Sequence, residues 1–144
     1  MECNVYKSVK HVGLSEKKIK EVVFFCLKKL NKTHASISVH LVGKQKIKTL
    51  NNLYRNQDEI TDVLSFSTEQ ELREVEEDLG DIFICIPQIK KQAKEFKVSY
   101  TEELIRMLVH GILHLAGYDH QVTAQSSKMF SLQEKIVDKL LNAG

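Results

Sequence analysis

The sequence predicts an α+β fold: a mixed four-stranded sheet packed with about five helices. Two observations carry this. Strand-like and helix-like segments follow one another in the order β-α-β-α-β-β-α-α-α, which places helices against a mixed sheet. The length of 144 residues is one domain's worth, so residues 1–144 are read as a single domain. A hydrophobic fraction of 42% and a charged fraction of 28% suit a globular chain that holds a core without staples.

Taken in order, Asn4 to Val9 is a candidate first strand. Ser15 is a good N-cap for "EKKIKEVVFFCLKKLN", in which Ile19, Val22, Val23, Cys26, Leu27 and Leu30 share one helical face. "ASISVHLV" alternates, with Ile37, Val39 and Leu41 on one side and Ser36, Ser38 and His40 on the other, as a half-buried strand does. Lys44 to Asn56 reads as a helix with Ile47, Leu50, Leu53 and Tyr54 inward. "TDVLSFS" and "DIFICIP" are short strands, and the unbroken apolar run Ile82 to Ile86 suggests a central one. Pro87, the single proline, can open the next helix. Thr101 is the expected cap of "EELIRMLVHGILHLAG", with Glu102 and Glu103 favourable in its first turn and Gly117 at its end. A last helix runs from Thr123 to about Leu141.

Charge is unevenly placed. Glu69 to Asp81 holds seven acids and one base, leaving +8 on the rest of a chain whose net charge is +2. The acidic stretch is expected to be a solvated surface loop. Its spacing is not that of a calcium loop. The lysine clusters are either solvated helix faces or a surface that concentrates an anionic partner such as RNA. No apolar run reaches the ~20 residues of a membrane span, and the start lacks an apolar signal core. Cys3, Cys26 and Cys85 have no CxxC spacing, as expected of reduced thiols in a cytoplasmic protein.

The sharpest feature is "HGILHLAGYDH", residues 110 to 120. His110 and His114 stand at i and i+4, on one side of a helix. Gly117 permits a sharp turn, and His120 returns three residues later. Three neutral imidazoles leave a fourth tetrahedral position open on zinc, the arrangement of a catalytic rather than a structural site. Nickel, copper or cobalt also suit three histidines. With six His and six Gly in the chain, this pattern is expected about 4 × 10⁻⁴ times by chance. His11, His34 and His40 lack such spacing and are read as non-ligands. The spacing matches the metzincin proteases, but Gly111 stands where their general-base Glu would be. Asp119 could serve as base, or could hydrogen-bond a ligand imidazole.

These residues resemble the signature of the YbeY family of bacterial metal-dependent endoribonucleases. "LNNLYRNQDEITDVLSF", residues 50 to 66, and "LGDIFIC", residues 79 to 85, are similar to two further blocks of that family and occur in its order. The resemblance spans essentially the whole chain. It implies one α+β domain, one zinc ion on His110, His114 and His120, and cleavage of single-stranded RNA. It also implies a role in maturation of the 16S rRNA 3′ end, in ribosome quality control, and contact with the ribosomal small subunit. Many members carry proline where this chain has Ser67, and many are acidic, whereas this chain has a pI near 8.4.

Phosphodiester cleavage needs a nucleophile, a Lewis acid and positive charge at the phosphate. Arg55 is the candidate for the charge, because a guanidinium grips two phosphate oxygens at once. An ion pair with Asp58 or Glu59 is its competing role. Thr61 and Asp62 are expected to cap or end structure. Tyr118 could stack on a base or simply pack. Two other functions compete: a metal-dependent hydrolase of a peptide or small phosphoester, and a non-catalytic, zinc-stabilised ribosome-assembly factor. A monomer with no membrane association is expected.

Overall fold

The computed structural model describes residues 1–68, 77–118 and 123–142. Its elements are β1 (Glu2–Lys7), α1 (Glu16–Lys29), β2 (Ala35–Val42), α2 (Lys44–Arg55), β3 (Val63–Ser67), β4 (Glu77–Cys85), α3 (Ile86–Phe96), α4 (Tyr100–Leu115) and α5 (Thr123–Asn142). The sheet runs β1-β2-β4-β3. β1 and β4 pair parallel to β2, and β3 pairs antiparallel to β4. The expected α+β architecture with a mixed four-stranded sheet is therefore present.

Alternation along the strands sorts side chains onto the two faces of the sheet. Ile37, Val39 and Leu41 of β2 and Ile82 and Ile84 of β4 join the larger core cluster with residues of α1 and α4. Val42, Leu64 and Cys85 meet Ile47 and Leu50 of α2 in a smaller cluster, on the opposite face. Each fully buried Ile or Leu contributes roughly 1.5–3 kcal/mol relative to exposure. All three cysteines are buried and free. Burial pushes the Cys3 thiol up to about 11 and Cys26 up to about 12, so both stay protonated at neutral pH and act as packing residues.

Several sequence expectations shift. β1 spans Glu2–Lys7 rather than Asn4 to Val9, because its pairing with β2 starts at Glu2 opposite Ser36. The cap of α4 is Ser99, not Thr101: the Ser99 hydroxyl accepts from the Glu102 amide at 3.1 Å. On α2, Leu53 and Tyr54 are exposed at 69% and 62%. The buried positions there are Ile47, Leu50 and Asn51, and Asn51 earns its burial by donating to the Glu59 carbonyl at 3.0 Å. The acidic stretch is not all loop. Its last five residues, Glu77 to Asp81, belong to β4; residues 69–76 lie outside those described. No described helix is long and apolar enough to cross a membrane.

Candidate functional site

A cleft of about 540 Å³ opens between the C-terminal part of α4 and the edge strand β3. On the helix side it is lined by His110, His114, Gly117 and Tyr118, and on the strand side by Arg55, Thr61, Asp62, Ser65 and Ser67 among others. The sequence thus places two of its three candidate metal ligands and its candidate phosphate-binding arginine around one cavity. Asp119 and His120 lie outside the described residues. Among the described residues no group of three or more His, Cys, Asp or Glu side chains forms a metal cluster.

The helix side is rigidly seated. His110 and His114 project half-buried from α4, whose intervening residues are in the core. Their ring centroids are 4.8 Å apart at 76°. His110 Nδ1 lies 2.8 Å from the side-chain carbonyl of Gln133 on α5. Gly111 is buried, and a Cβ there would stand 2.9 Å from Ile82 Cγ2 and 3.2 Å from Ser65 Oγ. The Ser65 hydroxyl donates to the Gly111 carbonyl at 3.4 Å. Gly111 is therefore a point of close contact between α4 and the sheet, where a side chain would press on Ile82 and Ser65. A carboxylate at the position a metzincin uses for its base would have to displace these side chains. Gly117, after the end of α4, has φ +103°, a backbone state that only glycine adopts without strain. It turns the chain toward residue 118.

The strand side is held differently. Arg55 is exposed at the end of α2. Its Nη2 donates to the Ser65 carbonyl at 3.0 Å, and its guanidinium lies 5.7 Å from the Phe66 ring centre. These contacts, rather than Asp58 or Glu59, hold it at the cleft. Asp62 acts as the sequence suggests for a structural residue: Oδ1 accepts from the Val63 amide at 2.8 Å. Its Oδ2 accepts from Gln92 Nε2 at 3.2 Å, and that same amide group donates to the buried Glu103 at 2.7 Å. Tyr118 lines the cleft while packing against the core. His40 is not among the residues lining the cleft; it is stacked between Tyr6 and Phe83 and lies 2.8 Å from Asp81.

Sequence reading missed Ser65 and Gln133. Ser65 carried no signal beyond its strand. Gln133 did carry one: it sits on the same face of α5 as buried Met129, Ile136 and Val137 and is itself 3% exposed. A glutamine in an apolar stripe needs partners for its amide.

Fold and cleft together define an α+β protein with a helix-borne histidine pair and an arginine facing one polar cavity. The family model described as Endoribonuclease YbeY matches residues 4–141. A relative from Sulfurihydrogenibium sp. (strain YO3AOP1), named Endoribonuclease YbeY, is 39% identical over 137 residues, covering 94% of this chain and 90% of its own. One of the same name from Acholeplasma laidlawii is 39% identical over 139 residues, with 96% of each chain covered. A solution structure of a Thermotoga maritima protein superposes with a TM-score of 0.70 at 34% identity, covering 96% of this chain and 88% of that one. The chain belongs to the endoribonuclease YbeY family.

Proposed function

We propose that this protein is a metal-dependent endoribonuclease that cleaves single-stranded RNA, with residues 1–144 forming one catalytic domain. The observation that carries this is the cleft itself, with His110 and His114 on one wall and Arg55 on the other. In this reading His110, His114 and His120 hold one zinc ion. The residues present fit such an ion. Two imidazoles sit 4.8 Å apart on one helix side, and a proton on His110 Nδ1, directed at the Gln133 carbonyl, leaves the lone pair on Nε2, as ligation requires. When bound, the metal supplies Lewis acidity toward phosphate oxygens and the means to ionise water near neutral pH.

The chain's own residues supply binding and orientation. Arg55 offers five N–H donors in a fixed plane, set by its bond to the Ser65 carbonyl and by the Phe66 ring. That plane suits two oxygens of one phosphate and stabilises the charge that grows there during cleavage. Asp119 takes one of two roles, general base or hydrogen-bond partner of a ligand imidazole. The pH–rate profile of Asp119→Asn separates them, since removing the base removes the lower pH limb. In the cell this activity is assigned to maturation of the 16S rRNA 3′ end and ribosome quality control, by a cytoplasmic monomer meeting the small subunit. The peptidase alternative is disfavoured because Gly111 supplies no carboxylate and a side chain there would press on Ile82 and Ser65.

The test is a comparison of substrates. Purified protein is offered a single-stranded RNA, the same sequence as a duplex, and casein, with and without chelator. Cleavage of the single strand alone, abolished by chelator, is expected. Casein hydrolysis, or RNA binding with no cleavage under any metal, contradicts the reading.

A further inference from the structure

A run of hydrogen bonds leaves the cleft on the side away from the cavity. The Gln133 side-chain oxygen lies 2.8 Å from His110 Nδ1, and Gln133 Nε2 donates to Glu134 Oε2 at 3.2 Å. Glu134 is gripped by Arg106, whose Nε lies 3.0 Å from Oε2 and whose Nη2 lies 3.1 Å from Oε1. Arg106 is also bonded to Glu102 at 3.1 Å and to Glu103 at 3.3 Å. The Arg106 hydrogen bond holds the Glu134 carboxyl below its ordinary range, so Glu134 is an anion at neutral pH.

These facts fix an orientation that a carboxamide alone leaves open. An ionised carboxylate only accepts, so the Gln133 NH₂ group must point at Glu134. The Gln133 oxygen must then face His110, and an oxygen only accepts. The proton on His110 is therefore on Nδ1, and the lone pair is on Nε2. A flipped amide would set NH₂ against Nδ1 and the oxygen against the carboxylate, with Gln133 only 3% exposed.

We propose that Gln133 is a positioning residue that fixes the tautomer and ring orientation of His110, and that the Arg106–Glu134 pair acts through it by fixing the Gln133 amide. The proposal rests on the metal-site reading above in one respect: the lone pair on Nε2 is what a metal uses. In an unrestrained imidazole the proton is free to occupy either nitrogen, so a site without this restraint must pay for the choice when the ion binds. Neither Glu134 nor Arg106 is among the residues lining the cleft.

Two measurements test it. In metal-free protein, long-range ¹H–¹⁵N spectra of the imidazoles report the tautomer, with His110 assigned by its absence in His110→Asn. Wild type is expected to carry the proton on Nδ1, and Gln133→Leu to lose that preference. Zinc affinity, measured by competition with a chromophoric chelator, is expected to fall about 10- to 100-fold in Gln133→Leu. Gln133→Glu keeps an acceptor facing Nδ1 and should restore both the tautomer and most of the affinity. Should Gln133→Leu fail to fold, Glu134→Leu at a half-exposed position serves instead, with a smaller loss. A wild-type His110 protonated on Nε2, or a folded Gln133→Leu with unchanged affinity, overturns the proposal. Failure of wild type to bind zinc overturns the metal reading instead, and the tautomer in metal-free protein then judges Gln133 by itself.

Discussion

The two walls of the cleft are built on opposite terms. The helix wall is part of the core: between His110 and His114 lie Gly111, Ile112 and Leu113, all buried, and His110 is tied to α5 through Gln133. The strand wall is an edge. Arg55 is exposed and is held by one hydrogen bond and one ring. The difference teaches that ligand geometry and substrate grip are separable here. The helix wall can hold an ion in a fixed arrangement because moving it would disturb the core. Arg55 can yield to a flexible polymer because its exposed side chain supports nothing among the described residues beyond those two contacts.

That contrast can be broken most directly at Arg55. Arg55→Ala should slow RNA cleavage by about 10²–10³-fold, the scale of removing one preorganised charge-stabilising donor. Its stability should change by no more than about ±0.5 kcal/mol, as at most surface positions. Single-turnover cleavage and urea denaturation measure the two sides. A large loss of stability would show that the strand wall is structural after all.

Salt should separate the walls next. Contact with three to five phosphates gives a slope of about −0.7 per phosphate, so a fourfold rise in salt weakens single-strand binding by roughly 20- to 130-fold. Metal retention by the helix wall should barely respond over the same range. Fluorescence anisotropy of labelled RNA and metal analysis in parallel would show this. A flat RNA response would mean that the lysines are only solvated faces.

Gly111→Ala probes the helix wall. The added methyl meets Ile82 and Ser65, and overpacking of this kind costs about 1–3 kcal/mol. The loss would appear in urea denaturation. An unperturbed midpoint would mean that α4 can lift off the sheet freely.

The sequence made much of this visible, and its misses have physical causes. The histidine spacing placed two candidate ligands on one helical side because a 3.6-residue repeat is a local property. Strand β2 was legible to the residue because its alternation is complete. The cap of α4 was legible but overlooked: Ser99 and Glu102 form the S-x-x-E spacing of a capping box, whereas Thr101 lies inside the first turn. β1 could not be bounded, because an edge strand's limits are set by pairing with its neighbour, here from Glu2 opposite Ser36 to Lys7 opposite Leu41. On α2 the apolar letters of Leu53 and Tyr54 misled, since the buried face continues through Asn51, a polar residue satisfied by a distant carbonyl. The Arg106–Glu134–Gln133 run joins residues up to 28 positions apart, and no local pattern announces it.

The smallest expected effect is on pH dependence. Hydrogen bonding to Arg106 lowers the folded pKa of Glu134 below its usual 4.5. Its contribution to stability is then present above the unfolded value and is lost as pH falls through the folded one. Because Glu134 is half exposed, the pair should be worth at most about 1 kcal/mol. Glu134→Gln should therefore lower stability slightly at pH 7 and flatten the acid limb of the stability profile. An identical acid limb in the variant would show that Arg106 does not hold this carboxylate in solution.

The central claim is that the helix wall holds a metal ion on which RNA cleavage depends. The most direct measurement is metal content and single-strand cleavage on the same preparations: wild type, wild type after chelation, the chelated protein resupplied with zinc, and His114→Ala. One metal per chain with cleavage, loss of both on chelation, recovery of both with zinc, and loss of both in a folded His114→Ala are predicted. Full metal occupancy in His114→Ala, or cleavage that survives chelation, would contradict the account.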